Sequence, residues 1–158
     1  MSAKVGVVGA GNISPQYLSH IATYPDLEIV SISDLIEERS AEKAEEYGVA
    51  THGTPGPDGS DGSDIIYDNA DVEYVINITN PQNHIDVSLQ AIRAGKHVWS
   101  EKPLGLNLEG AKQILDEAEK HGVVVGCAPD TVFGPGFQTV LRKIRSGPLG
   151  PARRFAEI

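Results

Sequence analysis

Cysteine, methionine and tryptophan occur once each in this sequence, and aromatic residues make up 6% of it. A lone Cys127 excludes an internal disulfide and fits a reducing compartment. No apolar run approaches the roughly 20 residues that cross a bilayer as a helix. The N-terminus carries one lysine and a short apolar run interrupted by glycines, with no cleavage-like site behind it. No secretion signal is read there, and a cytoplasmic location is expected. Positive charge is scarce too: 13 Lys and Arg stand against 22 Asp and Glu, a net charge of −9. That balance repels nucleic-acid phosphates and anionic membrane surfaces, so neither is expected as a partner. The basic clusters, Arg142, Lys143 and Arg145, then Arg153 and Arg154, read as solvated faces. No His/Cys spacing points to a metal site.

What is present organises itself around the first turn. With 158 residues and 40% hydrophobic content, the chain can form one domain that buries roughly 70% of its unfolded surface. Val5, Val7 and Val8 supply the short continuous apolar run of a buried parallel strand. Gly9 then permits a sharp turn, and Gly11 has no Cβ to block the approach of a pyrophosphate. The helix that follows aims its free N–H groups and positive dipole end at that anion. The main chain at Gly9, Gly11, Asn12 and Ile13 is therefore the candidate phosphate cradle. Ser14 departs from the third small residue of G-x-G-x-x-G/A. It precedes Pro15, so a helix N-cap with proline at the first helical position is a compatible second role.

Beyond this loop, strand and helix patterns alternate. Helices are predicted over 15–24, 37–47, 84–94, 108–121 and 137–146, with a helical turn at 64–69. Strands are predicted over 27–33, 49–51, 72–78, 97–100 and 123–127. Gly48, Gly95 and Gly122 close helices, and Asn107 caps one. The alternation predicts a doubly wound α/β fold, a six-stranded parallel sheet in the order 3-2-1-4-5-6. Residues 53–64 hold glycine, proline and short polar residues without one large apolar side chain, and read as a surface loop. Asp58, Asp61 and Asp64 recur there at short spacing, but the terminal bidentate Glu and the spacing of a calcium loop are missing.

Asp34 ends the second strand, 23 positions after Gly11. A carboxylate there accepts hydrogen bonds from the adenosine ribose hydroxyls; a helix cap or solvated strand-end acid is the alternative. It repels a 2′-phosphate, which favours NAD over NADP, with Arg39 close by as the counter-argument. Cys127 has no activating base near it in sequence and reads as a small buried residue.

Three later segments, Thr79-Asn-Pro-Gln-Asn-His84, Ala94-Gly-Lys-His-Val98 and Ser100-Glu-Lys-Pro-Leu104, resemble the Gfo/Idh/MocA family, the glucose–fructose oxidoreductases, inositol dehydrogenases and their relatives. The resemblance runs over essentially the whole chain, with Asn80 in place of the family's more usual proline. It implies cofactor contacts from Thr79, Asn80, Glu101 and Lys102. It also implies a catalytic Lys102 beside the nicotinamide ribose and the substrate's reacting hydroxyl, where an ammonium stabilises a developing alkoxide. Without the resemblance, Lys102 is an ordinary surface lysine. His84 either lines the nicotinamide pocket or caps backbone groups at its helix start. Asp130 either reaches the substrate or caps the turn after the sixth strand.

The resemblance further implies an oxidoreductase passing hydride between NAD and a sugar-like or polyol substrate. Residues 1–150 form the dinucleotide-binding domain, and 151–158 begin a substrate domain that family members carry beyond this point. On that expectation the 158-residue chain alone is inactive and leaves apolar surface open to self-association as a homo-oligomer. A non-catalytic nucleotide-binding module or redox sensor is the alternative. A methyltransferase shares the strand-one loop but leaves Glu101-Lys102-Pro103 unaccounted for.

Overall fold

The computed structural model describes residues 2–56, 60 and 62–147. The chain divides into two compact units, residues 1–128 and 129–158. The first holds a six-stranded sheet built from β1 (Ala3–Val8), β2 (Leu27–Ser33), β3 (Thr51–His52), β4 (Tyr74–Asn77), β5 (His97–Ser100) and β6 (Val125–Cys127). Every pairing is parallel, and the order is β3-β2-β1-β4-β5-β6. This is the predicted doubly wound topology. Its reversal point lies at β1, which pairs β2 on one side and β4 on the other.

Five helices connect these strands: α1 (Ser14–Ile21), α2 (Glu37–Tyr47), α3 (Asp64–Tyr67), α4 (His84–Arg93) and α5 (Leu108–His121). They split the core in two. Leu18 of α1 and Ala44 of α2 pack with Val5, Val7 and Ile32. Ile66, Val87, Ile92, Ile114 and Ala118, from α3, α4 and α5, pack with Val8, Val75 and Val98. Val7 and Val8 fall in different clusters because successive side chains of a strand face opposite sides. Fully buried residues such as Leu18, Ile32 and Ile114 each contribute about 2 kcal/mol relative to exposure.

The third and sixth strands begin later than predicted, for one shared reason. Gly48 and Gly122 end α2 and α5 in the left-handed conformation, with φ of 68° and 67°. The residue after each glycine still bonds back to the helix, Val49 N–H to the Ala44 carbonyl at 2.8 Å and Val123 N–H to the Ala118 carbonyl at 3.1 Å. Those N–H groups are lost to the sheet ladder. α1 begins at Ser14 rather than Pro15, and Ser14 is buried, its hydroxyl donating to the Gly11 carbonyl at 2.8 Å. Ser14 therefore serves as the small packing residue of the loop; Ile13 occupies the N-cap position. Asn107 does cap α5, its side chain accepting from Gly110 N–H at 2.8 Å.

The second unit contains a 3-10 turn, Asp130–Phe133, and α6 (Pro135–Arg145). Gln138 Nε2 donates to the Val132 carbonyl at 2.7 Å within it. The segment 151–158, expected to begin a substrate domain, lies outside the described residues, which end at 147. The same holds for 57–59 and 61 in the predicted surface loop.

Candidate functional site

Main-chain geometry builds the first wall of the site. β1 ends at Val8, and Gly9 turns with φ of 107°, a value side-chain-bearing residues rarely adopt. A Cβ on Gly9 would lie 2.7 Å from the Ile78 carbonyl oxygen, so glycine is required twice over, by conformation and by space. Gly11 differs. Among the described residues nothing lies within 4 Å of the position a Cβ would take, so packing there does not demand glycine; the room beside it is open. The N–H groups of Gly11, Asn12 and Ile13 precede α1 and have no intrahelical acceptor, and the positive end of the helix dipole lies with them.

Asp34, at the end of β2, is tied to this loop. Its Oδ2 accepts from Ala10 N–H at 2.7 Å and its Oδ1 from Ile36 N–H at 2.9 Å. Of the two roles read for it, the hydrogen bonds made here are those of the backbone cap. It caps the backbone leading into α2 and faces the glycine loop, and each oxygen retains lone-pair capacity for a further donor.

Between these elements lies a crevice of about 540 Å³, within the size range of small-molecule and cofactor sites. Val8, Gly9 and Gly11 form its floor. Asp34, Leu35, Ile36 and Arg39 line one wall, and Ile78, Thr79, Asn80, Asn83 and Val87 the other. It opens at the carboxyl ends of β1, β2 and β4, the reversal point where open α/β sheets bind ligands. Five of the predicted cofactor residues, Gly9, Gly11, Asp34, Thr79 and Asn80, meet there. The side chain of Thr79 turns inward, its Oγ1 donating to Asn77 Oδ1 at 2.7 Å.

The remaining predicted residues are placed otherwise. Asn12 and Ile13 sit beside the crevice, in the turn before α1. His84 is buried, with Nδ1 2.6 Å from the Pro103 carbonyl and Nε2 3.0 Å from the Thr79 carbonyl. Of the two alternatives for His84, these contacts are those of the backbone cap: both ring nitrogens are turned toward carbonyls. Glu101 and Lys102 follow β5, one strand further from the glycine loop. Glu101 N–H donates to the Asn77 carbonyl at 2.8 Å. Lys102 is exposed and precedes Pro103 through a cis peptide bond; among the described residues its ammonium has no hydrogen bond or ion pair. The side chain of Asp130 lies outside the described residues.

Cys127, at the end of β6, donates to the Ala128 carbonyl at 3.1 Å. Burial, then the neighbouring Glu101 carboxylate, pushes its thiol above the ordinary cysteine value, which suits an inert packing residue. No group of three His, Cys, Asp or Glu among the described residues is arranged to hold a metal ion, and no described helix is long and apolar enough to cross a membrane.

Two residues that matter here were passed over at the level of sequence. Asn77 is fully buried inside an apolar strand and organises the β4 end: its Nδ2 donates to the His84 carbonyl at 3.0 Å and to Ser88 Oγ at 3.1 Å. An amide interrupting Tyr74-Val-Ile-Asn-Ile is a signal that could have marked it. Tyr17 reads as part of an apolar helix face, yet its hydroxyl donates to Glu101 Oε1 at 2.7 Å.

Fold, glycine turn, dipole and acidic strand end together define a dinucleotide-binding α/β domain. Residues 3–128 match the model of the oxidoreductase family with an NAD-binding Rossmann fold, Gfo/Idh/MocA, and the chain belongs to that family. It is 31% identical over 154 residues to inositol 2-dehydrogenase of Salmonella typhimurium, covering 95% of this chain and 44% of that protein. It is 34% identical over 121 residues to 1,5-anhydro-D-fructose reductase of Ensifer adhaerens, covering 77% and 34% respectively. A putative myo-inositol dehydrogenase from Sinorhizobium meliloti superposes with a TM-score of 0.81 at 25% identity, over 94% of this chain and 43% of that one. WlbA dehydrogenase of Bordetella pertussis, solved with NADH and UDP-GlcNAcA, shares the fold at a TM-score of 0.84 and 22% identity, over 95% and 44%. The chain thus spans less than half the length of each of these relatives.

Proposed function

We propose that this chain is the cofactor-binding part of an NAD-dependent oxidoreductase acting on a sugar-like or polyol carbon. The observation that carries the reading is the crevice over β1, where open space beside Gly11 meets main-chain N–H groups that have no acceptor among the described residues, and the Asp34 carboxylate. These groups fit a dinucleotide. Gly11, Asn12 and Ile13 would hold the diphosphate through main-chain N–H, without a lysine or metal, and Asp34 would accept from the adenosine ribose hydroxyls. Leu35, Ile36 and Val87 offer apolar walls for the adenine.

NAD rather than NADP is the form we assign. Asp34, Asp64 and Asp86 all line the crevice, against Arg39 as the one cation among its described lining residues. A phosphate on the 2′ oxygen would face a carboxylate. The bound nicotinamide supplies hydride acceptance and donation. Lys102, exposed and without an ion-pair partner among the described residues, is assigned the stabilisation of charge on the substrate oxygen. The names of the relatives that act on inositol and anhydrofructose support a polyhydroxylated substrate.

Calorimetric titration of the chain with NADH and NADPH tests the assignment. NADH is expected to bind at least tenfold tighter than NADPH, and Asp34→Ala is expected to weaken NADH about tenfold while narrowing that preference. Equal affinity for both cofactors overturns the NAD assignment, and no binding of either overturns the cofactor reading.

A further inference from the structure

The Lys102 turn is fastened by a side-chain relay that reaches it from α1. Tyr17 lies on α1, in the turn after the glycine loop, and its ring packs against the core beneath α1. Its hydroxyl donates to Glu101 Oε1 at 2.7 Å, across 84 residues of chain. The other carboxylate oxygen, Oε2, accepts from the N–H of Lys102 at 3.0 Å. On the far side, Trp99 Nε1 donates to the Tyr17 hydroxyl at 3.4 Å. The relay therefore runs from the Trp99 indole through the Tyr17 hydroxyl to the Glu101 carboxylate, with the Lys102 main chain on that carboxylate's second oxygen. Both oxygens of Glu101 are engaged, one by a residue on the phosphate-loop helix and one by the residue it must orient.

We propose that Tyr17 is a positioning residue that couples the glycine loop to Lys102 through Glu101, setting where the lysine stands relative to the nicotinamide end of the cofactor. A hydrogen bond to a charged acceptor is stronger than a neutral one and tolerates little angular freedom. Without the tyrosine hydroxyl, Glu101 is free to rotate, and the Lys102 N–H loses a fixed acceptor. The adenosine and diphosphate contacts, made by α1 main chain and Asp34, do not depend on that hydroxyl. The coupling thus acts on one end of the cofactor only. This proposal rests on the cofactor reading above.

Tyr17→Phe removes the oxygen and keeps the ring, so the packing against the core survives. Two measurements on the full chain test the idea. The first needs no ligand: amide hydrogen exchange at Lys102 is expected to quicken at least tenfold in Tyr17→Phe, with Val7 in the central strand unchanged. Unchanged exchange at Lys102 overturns the proposal. The second compares NADH with ADP, which lacks the nicotinamide and its ribose. Binding is read for ADP by calorimetry and for NADH by energy transfer from Trp99, the single tryptophan. Tyr17→Phe is expected to weaken NADH about fivefold and to leave ADP within about twofold. Glu101→Gln is expected to do the same, and the double variant to be no worse than either single one, because both cut one relay. Equal loss for NADH and ADP, or additive losses in the double variant, overturns the coupling. If the unsubstituted chain binds neither ligand, the cofactor reading fails and takes the nicotinamide side of the proposal with it. If it binds NADH more tightly than ADP and Tyr17→Phe changes neither, the coupling alone fails.

Discussion

The two ends of the site are built by different means. Around Gly9, the main chain does the work: Gly9 N–H bonds to the Ser33 carbonyl at 2.8 Å, Ala10 N–H to Asp34, and the turn is shaped by a backbone conformation side chains cannot share. Around Lys102, side chains from distant elements hold the turn: Tyr17 from α1 and His84 from α4. The first arrangement is rigid because substitution of most side chains leaves it intact. The second can be dismantled one side chain at a time. That difference decides where each end should fail.

The largest effect is expected at Gly9. Gly9→Ala places a Cβ against the Ile78 carbonyl and a side chain in left-handed backbone, and is expected to destabilise the fold by about 3 kcal/mol, read in denaturant unfolding. Gly11→Ala is its counterpart. With open space at that Cβ, unfolding should change by less than about 0.5 kcal/mol while NADH binding falls. If the two substitutions cost equal stability, the distinction between a turn glycine and a ligand glycine is wrong.

At the other end, His84→Ala removes a buried ring and the N–H that its tautomer gives to the Pro103 or the Thr79 carbonyl. A loss of about 3 kcal/mol is expected, together with faster exchange in the Lys102 turn. A melt unchanged from the parent would show that the ring is not what fastens Pro103.

The smallest effect lies away from the site and sets a control for both ends. Glu117 sits between Lys120 and Arg93, at 2.9 and 3.0 Å, and these cations, Lys120 first, hold its carboxyl down to about 2 from an ordinary 4.5. A carboxyl depressed on folding adds stability above its unfolded value, and that stability is lost as pH falls through the folded one. The Arg93 tie between α4 and α5 should therefore persist at pH 5 and dissolve between about pH 4.5 and 2. Glu117→Gln should erase that portion of the acid-unfolding curve, leaving cofactor binding at pH 7 untouched.

The same contrast explains what could be read from the sequence. The glycine loop, the sheet order and Asp34 were legible because main-chain needs leave local marks: a β-branched run, closely spaced glycines, an acid at a strand end. The late starts of β3 and β6 were not, since a glycine cap takes the next N–H from the sheet without altering periodicity. Tyr17 and Asn77 were hidden for another reason. Tyr17 looks like an ordinary member of an apolar helix face, Asn77 shows only as an amide within an apolar strand, and the partner that gives each its role, Glu101 or Ser88, is supplied by tertiary contact. His84 was found with two alternatives left open, because spacing cannot tell a pocket from the carbonyls behind it; the contacts its ring makes are with backbone.

The central claim is that bare main-chain amides at the first turn receive a diphosphate. Amide NMR of the chain titrated with NADH tests it most directly. The account predicts the largest shifts at Gly11, Asn12 and Ile13, with Ala10 following through its bond to Asp34. Saturable binding that leaves those four amides unmoved would contradict it.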